Sequence, residues 1–418
     1  MNILYLNHYT GGPAFGMEYR PYYLSREWVR AGHRVRLVAA SYSHVRSRQP
    51  QQVTAPRIDV IDGIEHQWLP TPAYQGNGLG RVKNIWAYLR QVWAMARQTV
   101  VEFKPDLIIA SSTYPMDIWV AKRLRHLSGA AVVFEVHDLW PLSPIELNGM
   151  SPKHPFIRLV QWAEDVAYRD SDVVVSLLPK VHGYMASRGL DLAKLTIVPN
   201  GISPEDWATE PEPLRPDIAQ TIREARAAGH VVVGYAGSMG LPNALDHLLD
   251  AAQRLAPQKL SFVLIGDGHE RERLARRVHE ERLRNVTLLP PVPKAMIPSF
   301  LRAIDIAYIG WQRTPIYRFG IAPNKLMDYM MAGCAVLHSV EAGNDPVAEA
   351  GCGLTAAPES PDAIAQGLLK LAAKTPDERR AMGERGHAFV MQHHTYPVLA
   401  QRFLDAVRTR VGSHRLNR

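Results

Sequence analysis

Lys325 and Asp328 stand three positions apart in the run Gly320-Ile-Ala-Pro-Asn-Lys-Leu-Met-Asp-Tyr-Met-Met-Ala-Gly-Cys-Ala-Val-Leu337. That spacing places an ammonium and a carboxylate on about the same face of a helix. The pattern predicts a loop, a helix opening near Pro323 and stopping at Gly333, and a buried strand from Cys334 to Leu337. A lysine in the first helical turn is at the wrong end for the helix dipole, which favours anions there. It makes chemical sense if an anion shares the site, held by free backbone N–H groups and the ammonium together. The same residues also fit an ordinary αβ unit with a solvated Lys and Asp.

Two glycine loops and a histidine extend the set. Strand Ile3–Asn7 leads into His8-Tyr-Thr-Gly-Gly-Pro-Ala-Phe-Gly16, then a helix expected from Met17 to Arg30 and a strand His33–Ala40, a βαβ pattern. Gly12 and Gly16 are candidates for close backbone approach to a phosphate, although a plain turn explains a double glycine equally well. His230–Ala236 leads into Gly237-Ser-Met-Gly240 and a helix near Asn243–Leu255. His137 follows strand Ala131–Val136, at the carboxyl end where open parallel sheets gather ligands; local hydrogen bonding is the other reading. Asp170 and Asp172 have i, i+2 spacing but directly precede a strand, so no metal is expected there. Cys334 and Cys352 lack metal-ligand spacing and fit reduced thiols.

The segment Pro-Asn-Lys-Leu-Met-Asp-Tyr-Met-Met-Ala-Gly resembles the donor-site helix of retaining glycosyltransferases of family 4, which have the GT-B fold. The resemblance implies that Asp328 takes the place of the second of two family glutamates, the one that binds ribose. The first falls on Gly320 and is missing, so the match is to a branch with a Pro-x-Lys start. It further implies diphosphate contact from Lys325 and from Gly16, with Gly12 as substitute, and sugar contact from His137. Many members carry Arg and Lys where this chain has Ser238 and Asn243, leaving the phosphate charge to Lys325, with Arg318 and Arg313 as weaker candidates. Val292 matches a main-chain contact to the nucleobase, and Ile197-Val-Pro-Asn-Gly-Ile202 resembles the family's segment at the domain junction. Tyr9, Asn324 and Gly237 complete the expected substrate contacts.

The implied reaction moves a sugar from a UDP-, GDP- or ADP-sugar, as co-substrate with no cofactor or metal, to a sugar or lipid-linked acceptor hydroxyl in cell-surface glycan synthesis. With no carboxylate nucleophile evident, the acceptor attacks on the face where the diphosphate leaves, and a phosphate oxygen takes its proton. A sugar-nucleotide epimerase or hydrolase on the same fold stays open, as does a non-catalytic nucleotide or glycan binder. A nicotinamide dehydrogenase is disfavoured because neither loop has G-x-G-x-x-G spacing.

The elements that must position these groups are α/β throughout. At 418 residues the chain exceeds one core, and the expectation is two Rossmann-like doubly wound domains facing across a cleft. Residues 1–203 and 217–392 would form them, with 204–216 as a proline-rich linker and 393–418 a terminal helix crossing back to the first domain. Further strands are expected at Asp106–Ala110, Asp172–Leu177, Phe262–Gly266, Val286–Leu289 and Ile304–Ile309. Helices are expected at 155–169, Lys294–Ala303, Ser360–Ala373, Pro376–His393 and Tyr396–Val411, with a frayed end over Arg408–Arg418. Net charge is +8; without a nucleic-acid motif this points to phosphorylated substrates or anionic lipid rather than nucleic acid. In Arg81–Phe103, Lys83, Arg90 and Arg97 recur every seven residues beside Trp86 and Trp93, either a solvated edge or a membrane-docking stripe. No apolar run approaches the ~20 residues that span a bilayer and the start lacks a signal-peptide pattern, so a cytoplasmic protein, peripheral on the inner membrane face, is expected.

Overall fold

The computed structural model describes residues 1–76 and 78–412; 413–418, within the expected frayed end, lie outside the described residues. The chain divides into two units, Met1–Asn200 with Tyr396–Arg418, and Gly201–Thr395.

The first unit contains strands β1 (Asn2–Leu6), β2 (Arg34–Ala40), β3 (Arg57–Ile61), β4 (Ile64–Leu69), β5 (Leu107–Ala110), β6 (Ala131–Val136), β7 (Val173–Ser176) and β8 (Leu195–Ile197). They form one sheet in the order β3-β4-β2-β1-β5-β6-β7-β8. The central strands are continuous apolar runs because helices cover both faces of a parallel sheet. β3 and β4 are the exception, an antiparallel hairpin turning at Asp62 and Gly63, both at positive φ, as a two-residue hairpin of this hand requires. Strand order reverses between β1 and β5, so the loops after these strands open at the switch point.

The first helix spans Arg20–Arg30 rather than starting at Met17. Pro21 explains the later start: proline is tolerated in a first turn, where its missing N–H costs nothing. The terminal helix Tyr396–Val411 belongs to this first unit. Leu399, Phe403 and Val407 are fully buried in the core shared with Tyr23 and Trp28. The Trp28 indole donates to Ala400 O at 3.1 Å, and Tyr23 stacks on Tyr396 at 4.7 Å. At about 1.5–3 kcal/mol per buried large apolar side chain, this attachment is strong.

The second unit contains β9 (Val231–Ala236), β10 (Leu260–Ile265), β11 (Val286–Leu289), β12 (Ile306–Gly310), β13 (Ala335–Ser339) and β14 (Gly353–Ala356), in the order β11-β10-β9-β12-β13-β14. Its switch point lies between β9 and β12. Two cores flank the sheet: Leu248, Phe262 and Leu368 belong to one, Phe300, Tyr329 and Val347 to the other. Segment 204–216, expected as a linker, carries a helix Pro204–Ala208 capped by Ser203. Its Trp207 is buried in the second of those cores, and the next helix already starts at Pro216.

Candidate active site

In the second unit the chain leaves β9 through Gly237 and returns beside the loop after β10. Gly237 N donates to Ile265 O at 3.1 Å and Met239 N to Asp267 O at 2.7 Å. The two loops pack so closely that a β-carbon on Gly266 would lie 1.8 Å from Gly237 O. The helix Asn324–Met331 brings Lys325 to this loop. Its ammonium donates to Tyr235 Oη at 2.7 Å and to Asn243 Oδ1 at 3.0 Å, and lies 4.2 Å from the centre of the Tyr235 ring. Tyr235 in turn donates to Ser238 O. Neutral oxygens and a ring face cannot offset the cost of burying a charge. Burial accordingly pulls the Lys325 amine down to about 7.

Gly237, Ser238, Asn243 and Lys325 thus come together at the switch point. No side chain caps the helix Asn324–Met331, whose first turn has no acidic residue and follows Pro323 in extended conformation; Asn324 is exposed at its start. Lys325 is not paired with Asp328. Burial raises the Asp328 carboxyl to about 6, opposed by the Lys294 charge and a hydrogen bond from Trp207. Val292 is half-buried against the core. Arg318 is exposed, donating to Pro315 O at 2.7 Å and lying over Phe319; Arg313 pairs with Glu341 at 3.2 Å. Gly320 has φ 96° and ψ 174°, a region that a side chain disfavours. A glutamate would be strained in this backbone conformation. Asn344, which nothing in the sequence singled out, grips the following residue, accepting from Ile321 N at 2.8 Å and donating to Ile321 O at 3.1 Å.

In the first unit, Gly12 and Gly16 close a tight loop, each donating its N–H to the other's carbonyl at 2.8 Å. Their φ angles are 141° and 91°. Those two donors are therefore used within the loop, which can offer a ligand close approach but not these N–H groups. Tyr9 is buried, accepting from Arg81 Nε at 3.2 Å, with that guanidinium 5.5 Å over its ring.

His137 sits between two carboxylates. Its Nε2 lies 3.3 Å from Glu135 Oε2 and its Nδ1 3.6 Å from Glu18 Oε2, with Ser111 Oγ 2.9 Å from Nε2. The two acids hold the imidazole's proton, raising it to about 9 against the opposing effect of burial. Glu135 also accepts from Arg20 at 2.9 and 3.0 Å and from Ser111 at 2.6 Å. Arg20 and its neighbours hold it well below the usual carboxylate range. Glu18 ties this centre to the glycine loop, because its carbonyl accepts from Gly11 N at 2.9 Å. At neutral pH His137 is therefore an imidazolium whose two ring N–H groups face Glu135 and Glu18, a held cation rather than a base. Sequence reasoning missed Glu18, Arg20 and Glu135. The last had a signal, a lone acid in the apolar strand Ala131–Val136 two residues before His137. Asp170 and Asp172 serve the fold, meeting Lys122, Arg169 and Arg125.

Residues 15–201 match the glycosyl transferase 4-like domain and residues 230–374 the glycosyl transferases group 1 domain. The chain is 23% identical over 266 residues to the probable glycosyltransferase WbjE of Pseudomonas aeruginosa, covering 62% of this chain but only 64% of that protein. It is 22% identical to the putative colanic acid biosynthesis glycosyl transferase WcaI of Escherichia coli (strain K12), covering 82% and 85%. The structure of HepE from Anabaena in complex with UDP and glucose superposes with a TM-score of 0.65 at 16% identity, over 98% and 100% of the two chains. With a family domain matched in each unit, on two mainly parallel sheets each carrying a glycine loop at its switch point, the chain belongs to the GT-B glycosyltransferases.

Proposed function

We propose that this protein is a retaining, family 4 glycosyltransferase. It moves a sugar from a nucleoside diphosphate sugar to an acceptor hydroxyl, in the synthesis of a cell-surface polysaccharide or lipid-linked glycan. One observation carries the reading: a half-buried ammonium, Lys325, whose contacts at the Gly237 loop are, among the described residues, neutral. A diphosphate is the partner whose charge that site lacks. The relative named for colanic acid biosynthesis and the fold neighbour solved with UDP and glucose support the acceptor and donor classes.

In this mechanism Lys325 and the first-turn N–H groups stabilise the charge that grows on the leaving diphosphate as the anomeric carbon–oxygen bond breaks. The acceptor oxygen forms its bond on the same face, and its proton passes to a phosphate oxygen of the departing nucleoside diphosphate. Asp328 accepts from the ribose hydroxyls, and His137, as an imidazolium held by Glu135 and Glu18, lies against the transferred sugar. Lys325→Ala tests this by loss of a preorganised donor, with an expected fall in turnover of about 10²–10³ measured as nucleoside diphosphate release dependent on acceptor. Near-normal turnover would overturn the assignment. Equal release without acceptor would instead make the protein a sugar-nucleotide hydrolase.

A further inference from the structure

On the first unit, three helices enclose an apolar groove of about 470 Å³ lined by Trp86, Leu89, Trp93, Met116, Trp119 and Trp162, with Arg90 at its edge. The helices are Leu79–Phe103, Asp117–Ser128 and Pro155–Asp170. Trp86 and Trp93 are 45% exposed and Trp162 57%. So much indole on a surface is unusual for side chains that fold to escape water, and large exposed apolar patches mark interaction sites. Trp119 and Trp162 lie 5.1 Å apart, so the rings form one continuous surface.

The charge around the groove is one-sided. Trp86, Arg90, Trp93 and Arg97 recur at i, i+4, i+7 and i+11, alternating indole and guanidinium along one stripe of a helix. Over Leu79–Phe103 the bases Arg81, Lys83, Arg90 and Arg97 face one acid, Glu102. The Arg123 guanidinium lies 4.6 Å from the Trp93 ring, and Arg158 is exposed one turn from Trp162. Of the acids that follow on that helix, Glu164 is buried and accepts from Tyr168 at 2.8 Å and Tyr184 at 2.7 Å, and Asp165 is paired with Arg188. Tryptophan with a cationic rim is the composition that settles at a headgroup layer, where the ring is apolar and its N–H stays wet.

We propose that this groove seats the first unit on the interface of an anionic bilayer, with the indoles at headgroup depth and Arg90, Arg97, Arg123 and Arg158 against lipid phosphates. No helix among the described residues is long and apolar enough to cross a membrane, and none is needed for this mode of attachment. The proposal goes beyond the transfer reaction and rests on the helices of one unit alone, so it stands or falls separately from the role of Lys325.

The test is co-sedimentation of the full chain with vesicles of phosphatidylglycerol and phosphatidylethanolamine, against phosphatidylcholine alone. Binding to the anionic vesicles is expected, weakening as salt rises. Arg90→Glu/Arg97→Glu, both exposed, should weaken it at least about tenfold, as should Trp86→Ser/Trp93→Ser/Trp162→Ser. Brominated lipids should quench wild-type tryptophan fluorescence. Lys325→Ala should bind the vesicles as wild type does. Wild-type protein left in the supernatant, or charge-reversal protein binding normally, would overturn the proposal. So would self-association abolished by the tryptophan variant without any vesicle binding, which would assign the groove to a protein partner.

Discussion

The stem of Lys325 occupies the space beside Gly237. A β-carbon on that glycine would stand 2.5 Å from Lys325 Cε and 2.9 Å from Nζ. With φ at 149°, Gly237 is excluded from bearing a side chain twice over, by its backbone and by the lysine it admits. Gly237→Ala should therefore act on the ammonium as well as on the loop. A loss of about 1–3 kcal/mol in stability and at least a tenfold loss in nucleoside diphosphate affinity are expected, from thermal melts and calorimetry. Unchanged affinity would show that the position of the ammonium does not matter for binding.

The pH dependence of binding follows from the same burial. The free protein holds Lys325 neutral above about 7, whereas a diphosphate favours the charged form. Above that pH, binding should take up close to one proton and weaken toward tenfold per unit. Calorimetry in buffers of different ionisation enthalpy reads the proton directly, and Lys325→Ala should abolish it. For stability the sign is opposite to that of an ion-paired lysine. Between about 7 and its ordinary 10.5 the unfolded chain holds more protons at this residue, so its contribution to stability rises with pH across that window.

Glu135 holds two cations, Arg20 and His137. Glu135→Gln leaves a buried guanidinium without its carboxylate, at an expected cost of about 3–5 kcal/mol. The same change should lower the His137 titration, followed by NMR, from about 9 toward its ordinary value. His137 gains its proton on folding, so its stabilising contribution is complete below its ordinary 6.5 and disappears as pH rises through about 9. Glu18→Gln, at a half-exposed acid, should lower the same titration at a much smaller stability cost. An unmoved His137 resonance in both variants would contradict the two-carboxylate account.

Asp328 separates stability from binding. Its carboxyl is raised to about 6 by burial, so at pH 7.5 the folded protein carries an ionised group that its surroundings disfavour. Asp328→Asn should leave the melting temperature equal or higher while weakening nucleoside diphosphate binding about tenfold, the value of a hydrogen bond to a charged group. A lower melting temperature with normal binding would make the residue structural, through its bond from Trp207.

Local patterns made much of this fold legible. The apolar strands, both glycine loops and the helix carrying Lys325 follow from periodicity, glycine and proline. The hairpin at Asp62-Gly63 had a recognised turn signal in plain view, and Pro21 marked where the first helix starts. What could not be read were partnerships over long separations. Glu135 meets Arg20 across 115 residues and Lys325 meets Tyr235 across 90, so nothing local distinguishes these pairs from solvated charges. Trp207 misled in the same way: a proline-rich stretch reads as a tether until the indole it buries is seen.

The terminal helix also bears on the order in which this protein can be made. Trp28 finds its hydrogen-bond acceptor 372 residues downstream. Ribosomal synthesis therefore presents the first 200 residues with their sheet complete but an apolar face of Tyr23 and Trp28 uncovered. That surface must wait through the whole second unit for its lid. A chain lacking the helix Tyr396–Val411 would keep every proposed active-site residue and leave this apolar face of Tyr23 and Trp28 open to water.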